Sequence, residues 1–266
     1  MTDKPVNEAI HLLAPNRVIS KGTLRWLVGF QLLMLLSIWI FSPTVFLPKP
    51  KEVFQALSDL WFEGLGGELI TSFLLNIEAI AISAILSLLL AYLTVIPFFR
   101  PIVALLSKLR FLSMVGLTFF FTLMATSGHE LKLFLLVFSV SVFFVTGMAE
   151  VVASIPKEKF DLARTLRMSE WRVVYEVIIL GQADKAFEIL RQNAAMGWMM
   201  LTMVEGISRS EGGIGAMLLN QNKHFHLSAV FAIQLTILVL GLAQDYAIGL
   251  LRKIFCPYAD LTLERK

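Results

Sequence analysis

Long apolar runs constrain the fold of this chain more than any other feature of its sequence. Hydrophobic residues make up 57% of the 266 residues and charged residues only 16%. A helix needs about 20 apolar residues to cross about 30 Å of hydrocarbon, and in lipid it satisfies its own backbone polar groups. Six runs approach that length, at about Trp26–Phe46, Ile70–Phe99, Phe111–Thr126, Leu131–Val152, Ala186–Ile207 and Leu227–Leu251. The sequence therefore predicts an all-α, polytopic integral membrane protein with about six transmembrane helices.

The distribution of basic residues predicts the orientation of these helices. Lys and Arg near the ends of spans stay on the cytoplasmic side, and with six spans most of the 23 fall on the side of the N-terminus. We expect a cytoplasmic segment at 1–25, a membrane domain at 26–251 with a cytoplasmic loop at 154–185, and a cytoplasmic tail at 252–266. Because the basic residues are spread over loops instead of forming a stripe, the bilayer is an expected partner and nucleic acid is not.

Motifs for nucleotide, metal and covalent chemistry are absent from the sequence. No G-x-x-x-x-G-K-[ST] phosphate loop is present, and the glycines from Gly212 to Gly215 lack the spacing of a dinucleotide turn, which favours an outer loop turn. His224 and His226 would point to different faces of a helix, and Cys256 is the single cysteine. We therefore predict no catalytic residue, no metal site and no cofactor.

A charged island between two apolar runs, Ser154 to Arg191, has the pattern of a helical hairpin. Pro156 suits the first turn of a helix, where its absent N–H costs nothing, and Ser169 suits the start of a second helix. On the first helix one face would carry Lys157, Asp161 and Arg164, and another would carry Phe160, Ala163 and Leu166. On the second helix an apolar stripe would carry Trp171, Val174, Tyr175 and Ile178. Helices this short need a surface to pack on, which is either their own bundle or a soluble partner.

Three segments of the chain resemble one family of transport proteins. Lys159 to Leu180 resembles the E-A-A loop of ABC importer permeases, which in that family docks into the ATPase subunit. Phe46 to Leu57 resembles the outer LP-x-P-x-x-V segment of nitrate-, sulfonate- and taurine-type permeases, and Arg191 to Gly215 is similar to the fifth span and following loop of that family. The resemblance covers most of the chain after the first span.

The resemblance implies a permease subunit without enzymatic activity, placed in the bacterial cytoplasmic (inner) membrane. Its implied partners are a second permease copy, two ATP-binding cassette ATPase subunits and an extracytoplasmic substrate-binding protein. Its implied cargo is a small anion such as nitrate, a sulfonate such as taurine, or bicarbonate. The residues that would couple to the ATPase are Glu158, Asp161, Ala163, Arg164, Thr165, Leu166 and Arg167.

The chain departs from the family pattern at several positions. Asp161-Leu162 replaces the usual Glu-Ala, Arg167 replaces the turn glycine, and Gly181 replaces the closing proline. A glycine supplies a left-handed turn at no steric cost, whereas arginine adopts that conformation only at some cost. Leu75 stands where the family often has an arginine, and the third run lacks the family's prolines.

Polar residues within the apolar runs are candidates for a translocation pathway between two permease copies. Charged groups at membrane depth cost on the order of 2.5–3.5 kcal/mol and usually face protein or water. The candidate residues are Asn76, Glu78, Asn193, Trp198, Glu205 and Gln234, and Gln244 and Asp245 lie in the last run. The alternative is that these residues form interhelical hydrogen bonds, worth about 0.6 kcal/mol each.

Two other functions stay open on the sequence alone. An ion-gradient-driven secondary transporter would be expected to show inverted repeats and broken spans, and no convincing repeat is present in the sequence. A non-transporting membrane enzyme or scaffold is the second alternative, of which the enzyme is disfavoured by the absence of a catalytic constellation.

Overall fold

A computed structural model describes residues 20–41, 47–208 and 211–258, and this part of the chain is helical without strands. The helices are α1 Lys21–Phe41, α2 Pro50–Phe62, α3 Leu65–Leu93, α4 Arg100–Lys108, α5 Met114–Met124, α6 Gly128–Ala153, α7 Lys157–Thr165, α8 Glu170–Val173, α9 Ala183–Ile207, α10 Ile214–Lys223 and α11 Leu227–Phe255. A π-helix, Val174–Ile179, and 3₁₀ turns at Pro97–Phe99, Leu109–Phe111 and Leu180–Gln182 complete the structure. The predicted all-α class is confirmed.

Four described helices are long and apolar enough to cross a membrane. They are Gly22–Phe41 within α1, and α3, α6 and α11. A fifth crossing arises if Pro97–Phe111 and Met114–Met124, which meet at 113°, form one broken span. The prediction of several helices able to span a membrane is therefore confirmed, whereas the count of six spans and the side of the termini stay predictions.

The third and fifth predicted runs differ most from a simple span. The third run, Phe111–Thr126, is not one straight helix, because Leu112 and Ser113 are extended and α5 has only 11 residues. The fifth run lies in α9, which has 25 residues but also carries the charged side chains that interrupt the run. Two of these charged side chains, Glu188 and Arg191, form ion pairs with residues of α11. Helix α9 is therefore long enough to cross a membrane, but its composition is more polar than that of the other long helices.

The other predicted boundaries were shifted by several residues. The second run was predicted at Ile70–Phe99, but α3 begins at Leu65, after Gly64 in a left-handed conformation, and ends at Leu93 before Pro97 starts a new turn. The sixth predicted run, Leu227–Leu251, lies in α11, which continues to Phe255. Residues 42–46 of the first run, 1–19 of the predicted N-terminal segment and 259–266 of the predicted tail lie outside the described residues.

The core forms where α3, α6 and α9 pack together. Small buried residues let α3 approach α6 closely, and two of them, Ser83 and Ser87, donate 3.2 Å hydrogen bonds to the carbonyl oxygens of Val137 and Ser141. Because both residue numbers of these pairs increase together, α3 and α6 run in the same direction. The chain between them must therefore return across the bundle, through α4 and α5.

Helix α9 runs against α6 and α11. Ala186 packs beside Met148, whereas Leu201 packs beside Leu135, so α9 and α6 are antiparallel. The bundle thus has one end with the connection from α6 to α9, called here the hairpin end, and an opposite end with the connection from α9 to α10. Every side chain between residues 22 and 41 of α1 is at least partly exposed, so this helix packs little on the bundle.

Candidate functional site

The hairpin, residues 157–182, is held together by one arginine. The Arg164 guanidinium on α7 donates hydrogen bonds of 3.1 and 3.3 Å to the two carboxylate oxygens of Glu170 on α8, and it lies 3.6 Å from Asp161. This hydrogen-bonded guanidinium lowers the pKa of the Glu170 carboxyl below its ordinary value. Arg164 therefore fixes the angle between the two short helices.

The turn between these helices has its left-handed residue at Arg167, with φ of 57°. The N–H of Arg167 donates to the Arg164 carbonyl over 2.8 Å, and the N–H of Met168 donates to the Ala163 carbonyl over 3.3 Å. These bonds close the C-terminus of α7 in the way that a glycine usually permits. The arginine adopts the left-handed conformation expected of the family's glycine.

The side chains that anchor the hairpin differ in part from the predicted faces. Ala163 is buried as predicted, but the second helix buries Val173 and Ile178, while Trp171 and Tyr175 are exposed. The predicted stripe was wrong because residues 174–179 form a π-helix, whose i→i+5 repeat places Val173 and Ile178 on one face. On the first helix, Leu166 does not pack on the bundle, since its side chain is 63% exposed.

The two predicted helix starts lie at or within one residue of the expected positions, with differences in detail. Pro156 occupies the N-cap of α7 instead of its first turn. Ser169 is the N-cap of α8, but its side chain makes no capping hydrogen bond.

The hairpin consequently presents an apolar and charged surface away from the bundle. Its exposed large apolar residues are Leu162, Leu166, Trp171 and Tyr175. Of the seven residues predicted to couple to an ATPase, Ala163 is buried, and the exposed ones are Glu158, Asp161, Arg164, Thr165, Leu166 and Arg167. The segment that resembles the E-A-A loop therefore has an exposed surface, and Trp171 and Tyr175 belong to it together with the six exposed candidates.

A groove runs along the outer side of the bundle between α9 and α11. Two cavities of about 470 and 460 Å³ lie along it, and Thr202 and Gln234 line both. The first cavity extends to Asp245 toward the hairpin end, and the second extends to Asn222 at the opposite end. This α9–α11 groove is mostly apolar, with a few polar side chains along it.

Behind the groove, three predicted pathway residues lie in the core. Gln244 Oε1 accepts hydrogen bonds from Asn76 Nδ2 over 3.1 Å and from Trp198 Nε1 over 2.7 Å. The side chains of Asn76, Trp198 and Gln244 are buried, and Trp198 also borders the groove. Asn193 is buried and donates to the Ile189 carbonyl of its own helix over 2.8 Å. Asn76 and Trp198 thus join three helices, as the hydrogen-bond alternative predicted.

Glu205 belongs to a separate buried cluster at the opposite end of the bundle. It accepts hydrogen bonds from the Ser72 hydroxyl over 2.6 Å and from the Gly215 N–H over 2.8 Å. Ser72 in turn accepts a 2.8 Å hydrogen bond from the Ile214 N–H. Glu205 and Ser72 are both fully buried, so Glu205 is a core residue and makes the interhelical hydrogen bonds that were the alternative to a pathway role.

The same cluster binds the loop that precedes α10. The Lys132 ammonium is buried and donates to the Gly212 carbonyl over 2.8 Å, and the Gly213 N–H donates to the Glu68 carboxylate. Gly212 and Gly213 have positive φ values of 68° and 107°, which confirms the predicted glycine turn. We call Glu68, Ser72, Lys132, Glu205 and residues 212–215 the Glu205 cluster.

The remaining pathway candidates lie on the surface of the bundle. The Glu78 side chain is 47% exposed and lies 3.4 Å from His129 Nε2, while Gln234 lies on the α9–α11 groove. The six candidates therefore do not form one site. No group of His, Cys, Asp and Glu within the described residues is arranged to hold a metal ion.

Sequence reasoning missed two polar arrangements. Lys132 stands near the start of an apolar run, where a lysine usually marks a loop, and nothing local to it indicates a buried partner. Sequence reasoning also left Arg191 and Asp245 unpaired, although their side chains form a two-pronged ion pair between α9 and α11, with 2.7 Å between Nη2 and Oδ2. An arginine in the fifth apolar run and an aspartate in the sixth are opposite charges at membrane depth, and this is the signal that could have predicted the pair.

Compared with known proteins, the sequence matches no protein-family model and no curated protein with significance.

Proposed function

We propose that this chain is the permease subunit of an ATP-driven ABC importer. Two copies would enclose a pathway for a small solute, with an anion such as nitrate, a sulfonate or bicarbonate as the expected cargo. Two soluble ATPase subunits would dock on the hairpins, and an extracytoplasmic binding protein would deliver the solute at the opposite end. The chain would reside in the bacterial cytoplasmic membrane and would itself hydrolyse nothing.

The observation that carries this proposal is the exposed surface of the hairpin. Leu162 and Trp171 are 64% and 73% exposed, although buried residues next to them anchor the same segment to the bundle. Exposing large apolar side chains to water is unfavourable in free energy, and an exposed apolar patch often marks the binding site of a partner. Because the Arg164–Glu170 bridge makes the two short helices one body, a push on this surface would be transmitted to α9. This is what a motor protein needs in order to move a bundle between two states.

Helix directions support the expected topology. Since α3 and α6 run toward the hairpin end and α9 runs away from it, α4 and α5 supply a return crossing between α3 and α6. Adding α1 and α11 gives six crossings, with both ends of the chain on the side of the hairpin. The basic residues of the chain favour the cytoplasm for that side.

The α9–α11 groove is our candidate for half of the pathway. It is open along its length, and its polar groups Thr202, Gln234 and Asp245 are spaced along otherwise apolar walls. A second copy placed over it would convert the groove into a closed passage. The buried residues Asn76 and Asn193 would stabilise the wall and would not touch the solute.

Site-directed crosslinking tests the proposal. Cys256 is buried, so replacing it with alanine provides a background without thiols, into which Leu162→Cys or Trp171→Cys is introduced. Lys223→Cys, exposed at the end of α10, is the matched control at the opposite end. We expect crosslinks from positions 162 and 171, but not from 223, to a protein that hydrolyses ATP.

The other outcomes distinguish the alternatives. Transport that requires an ion gradient, without any crosslinked ATPase, would favour a secondary transporter. Crosslinks to a non-transport protein, without solute uptake, would favour a scaffold. Either result would overturn the importer assignment.

A further inference from the structure

A third cavity lies at the hairpin end of α11 and meets the α9–α11 groove at Asp245, which lines both. Its volume is about 260 Å³, and its lining includes Arg191, Asp245, Tyr246, Gly249, Arg252 and Lys253. The Tyr258 hydroxyl donates a 3.0 Å hydrogen bond to the Leu180 carbonyl of the hairpin, which places this end of α11 beside the hairpin. The cavity therefore lies beside the hairpin, at the end of one of the helices long and apolar enough to cross a membrane.

The polar groups of this cavity leave positive charge and hydrogen-bond donors without partners. Arg191 is neutralised by Asp245, and Arg252 Nη1 is paired with Glu188 over 3.1 Å. Arg252 Nε has no hydrogen-bond acceptor but is buried beneath the cavity surface, whereas Lys253 is exposed and forms no ion pair with any described residue. A ligand that pairs with Lys253 must supply negative charge and acceptor oxygens, as a phosphate group does.

An exposed apolar stripe on α11 leads from this cavity toward the middle of the bundle. Its members recur at helical spacing and are all exposed: Leu235, Val239, Leu242, Tyr246 and Leu250. Fifteen residues of helix span about 22 Å, more than half of a hydrocarbon core about 30 Å thick. The stripe thus offers an acyl chain a continuous apolar contact that ends at the basic cavity.

We propose that this cavity binds the headgroup of an anionic phospholipid, whose acyl chain lies along the α11 stripe. Basic pockets between membrane helices are suited to such headgroups because the surface potential and the specific ion pairs act together. A soluble phosphate would pair with Lys253 equally well, but it would leave the apolar stripe without a ligand. The site requires only that α11 spans the bilayer and does not depend on the importer proposal.

Two variants separate the headgroup site from general lipid binding. Lys253→Gln removes the unpaired charge, and Gly249→Leu fills the cavity. A Cβ at Gly249 meets no atom within 4 Å, so the leucine projects into space instead of into the core. Lys223→Gln removes an exposed lysine at the opposite end and is the matched control.

The test uses the purified full-length chain in detergent. Dioleoyl phosphatidylglycerol, phosphatidylcholine with the same acyl chains, and inorganic phosphate are added separately. Bound lipid is counted by native mass spectrometry, and the thermal midpoint is measured in parallel. We expect phosphatidylglycerol to be retained and to raise the midpoint, whereas the other two ligands do neither. Lys253→Gln should weaken phosphatidylglycerol binding at least about fivefold, Gly249→Leu should abolish it, and Lys223→Gln should leave it unchanged.

Three results would overturn the assignment. The first is equal retention of phosphatidylcholine, and the second is stabilisation by inorganic phosphate alone, which would make the site one for a soluble anion. The third is wild-type phosphatidylglycerol affinity in Lys253→Gln. If Gly249→Leu does not fold, the comparison of Lys253→Gln with Lys223→Gln decides the question.

Discussion

The hydroxyl of Ser72 donates a 2.6 Å hydrogen bond to the carboxylate of Glu205, 133 residues further along the chain. Ser72 also accepts from the Ile214 N–H, so a single small side chain joins α3, α9 and the start of α10. Because both residues are fully buried, no water replaces either bond if one partner is removed. The Glu205 cluster thus fixes the end of the bundle opposite the hairpin.

Ser72→Ala should therefore destabilise the protein strongly. The change leaves Glu205 without one donor and the Ile214 N–H without its acceptor, and each buried group left unpaired costs about 1–3 kcal/mol. We expect a loss of about 2–4 kcal/mol in the free energy of unfolding, measured as a lower thermal midpoint in detergent. The control is Thr71→Ala on the same helix, whose exposed hydroxyl bonds only to the Gly67 carbonyl. Equal midpoints for the two variants would contradict the role of Ser72.

The close approach of α9 and α10 gives a prediction for Gly215. A Cβ at this position would overlap the Thr202 carbonyl oxygen and lie 2.7 Å from Thr202 Cα. Since both atoms belong to the backbone, Gly215→Ala should separate the two helices and lower the thermal midpoint. Gly67→Ala, near the start of α3, meets no atom within 4 Å and should be neutral or stabilise by about 0.5–1 kcal/mol. A neutral Gly215→Ala would show that α10 does not pack this closely.

The ion pair between Arg191 and Asp245 should be measurable as a coupling between two mutations. The side chains are 40% and 33% exposed, so screening reduces the interaction, while the two-pronged geometry favours it. We expect Arg191→Ala and Asp245→Ala each to destabilise, and the double variant to lose about 1 kcal/mol less than the sum. A double-mutant cycle of thermal midpoints checks this, and strict additivity would contradict a direct pair.

Some of these features could be predicted from the sequence, and others could not. Apolar runs gave the helices because their length and hydrophobicity are local properties, and the charged island gave α7 within a residue of its start. The π-helix at Val174–Ile179 was not predictable from spacing, since an α-helical period was assumed there. The bend at Leu112 and Ser113 was hidden for the opposite reason: the apolar run continues through it without a break.

Partners in the Glu205 cluster were unpredictable for a different physical reason. Ser72 and Lys132 carry no local signal, because a serine is common in membrane helices and a lysine beside a span end usually marks a loop. Only the packing of α3 against α9 and of α6 against the loop before α10 brings them to Glu205 and Gly212. A single sequence contains no distance between residues so far apart in the chain.

The bridge between Arg164 and Glu170 predicts a pH dependence of the hairpin. The bridge lowers the pKa of Glu170 in the folded state, so its contribution is present at neutral pH and is lost as the pH falls through that lowered value. In Arg164→Gln the pKa of Glu170 should return toward its ordinary value. An NMR titration of the Glu170 carboxyl carbon in both proteins measures the difference. Identical titration curves would contradict the bridge, and Arg172→Gln is the control, since Arg172 lies beside Glu176 instead.

Replacing Arg167 with glycine tests whether the left-handed conformation at residue 167 destabilises the hairpin turn. Arg167 holds φ at 57°, a region that costs a residue with a Cβ roughly 1–2 kcal/mol and costs glycine almost nothing. Arg167→Gly should therefore stabilise the closed turn and slow hydrogen exchange at the Met168 amide, which bonds to the Ala163 carbonyl. Arg167→Val should do the reverse, because a β-branched side chain tolerates this conformation least. If exchange at Met168 were equally fast in all three proteins, the turn would not depend on residue 167, and the exposed surface of the hairpin would have to be positioned by the Arg164 bridge alone.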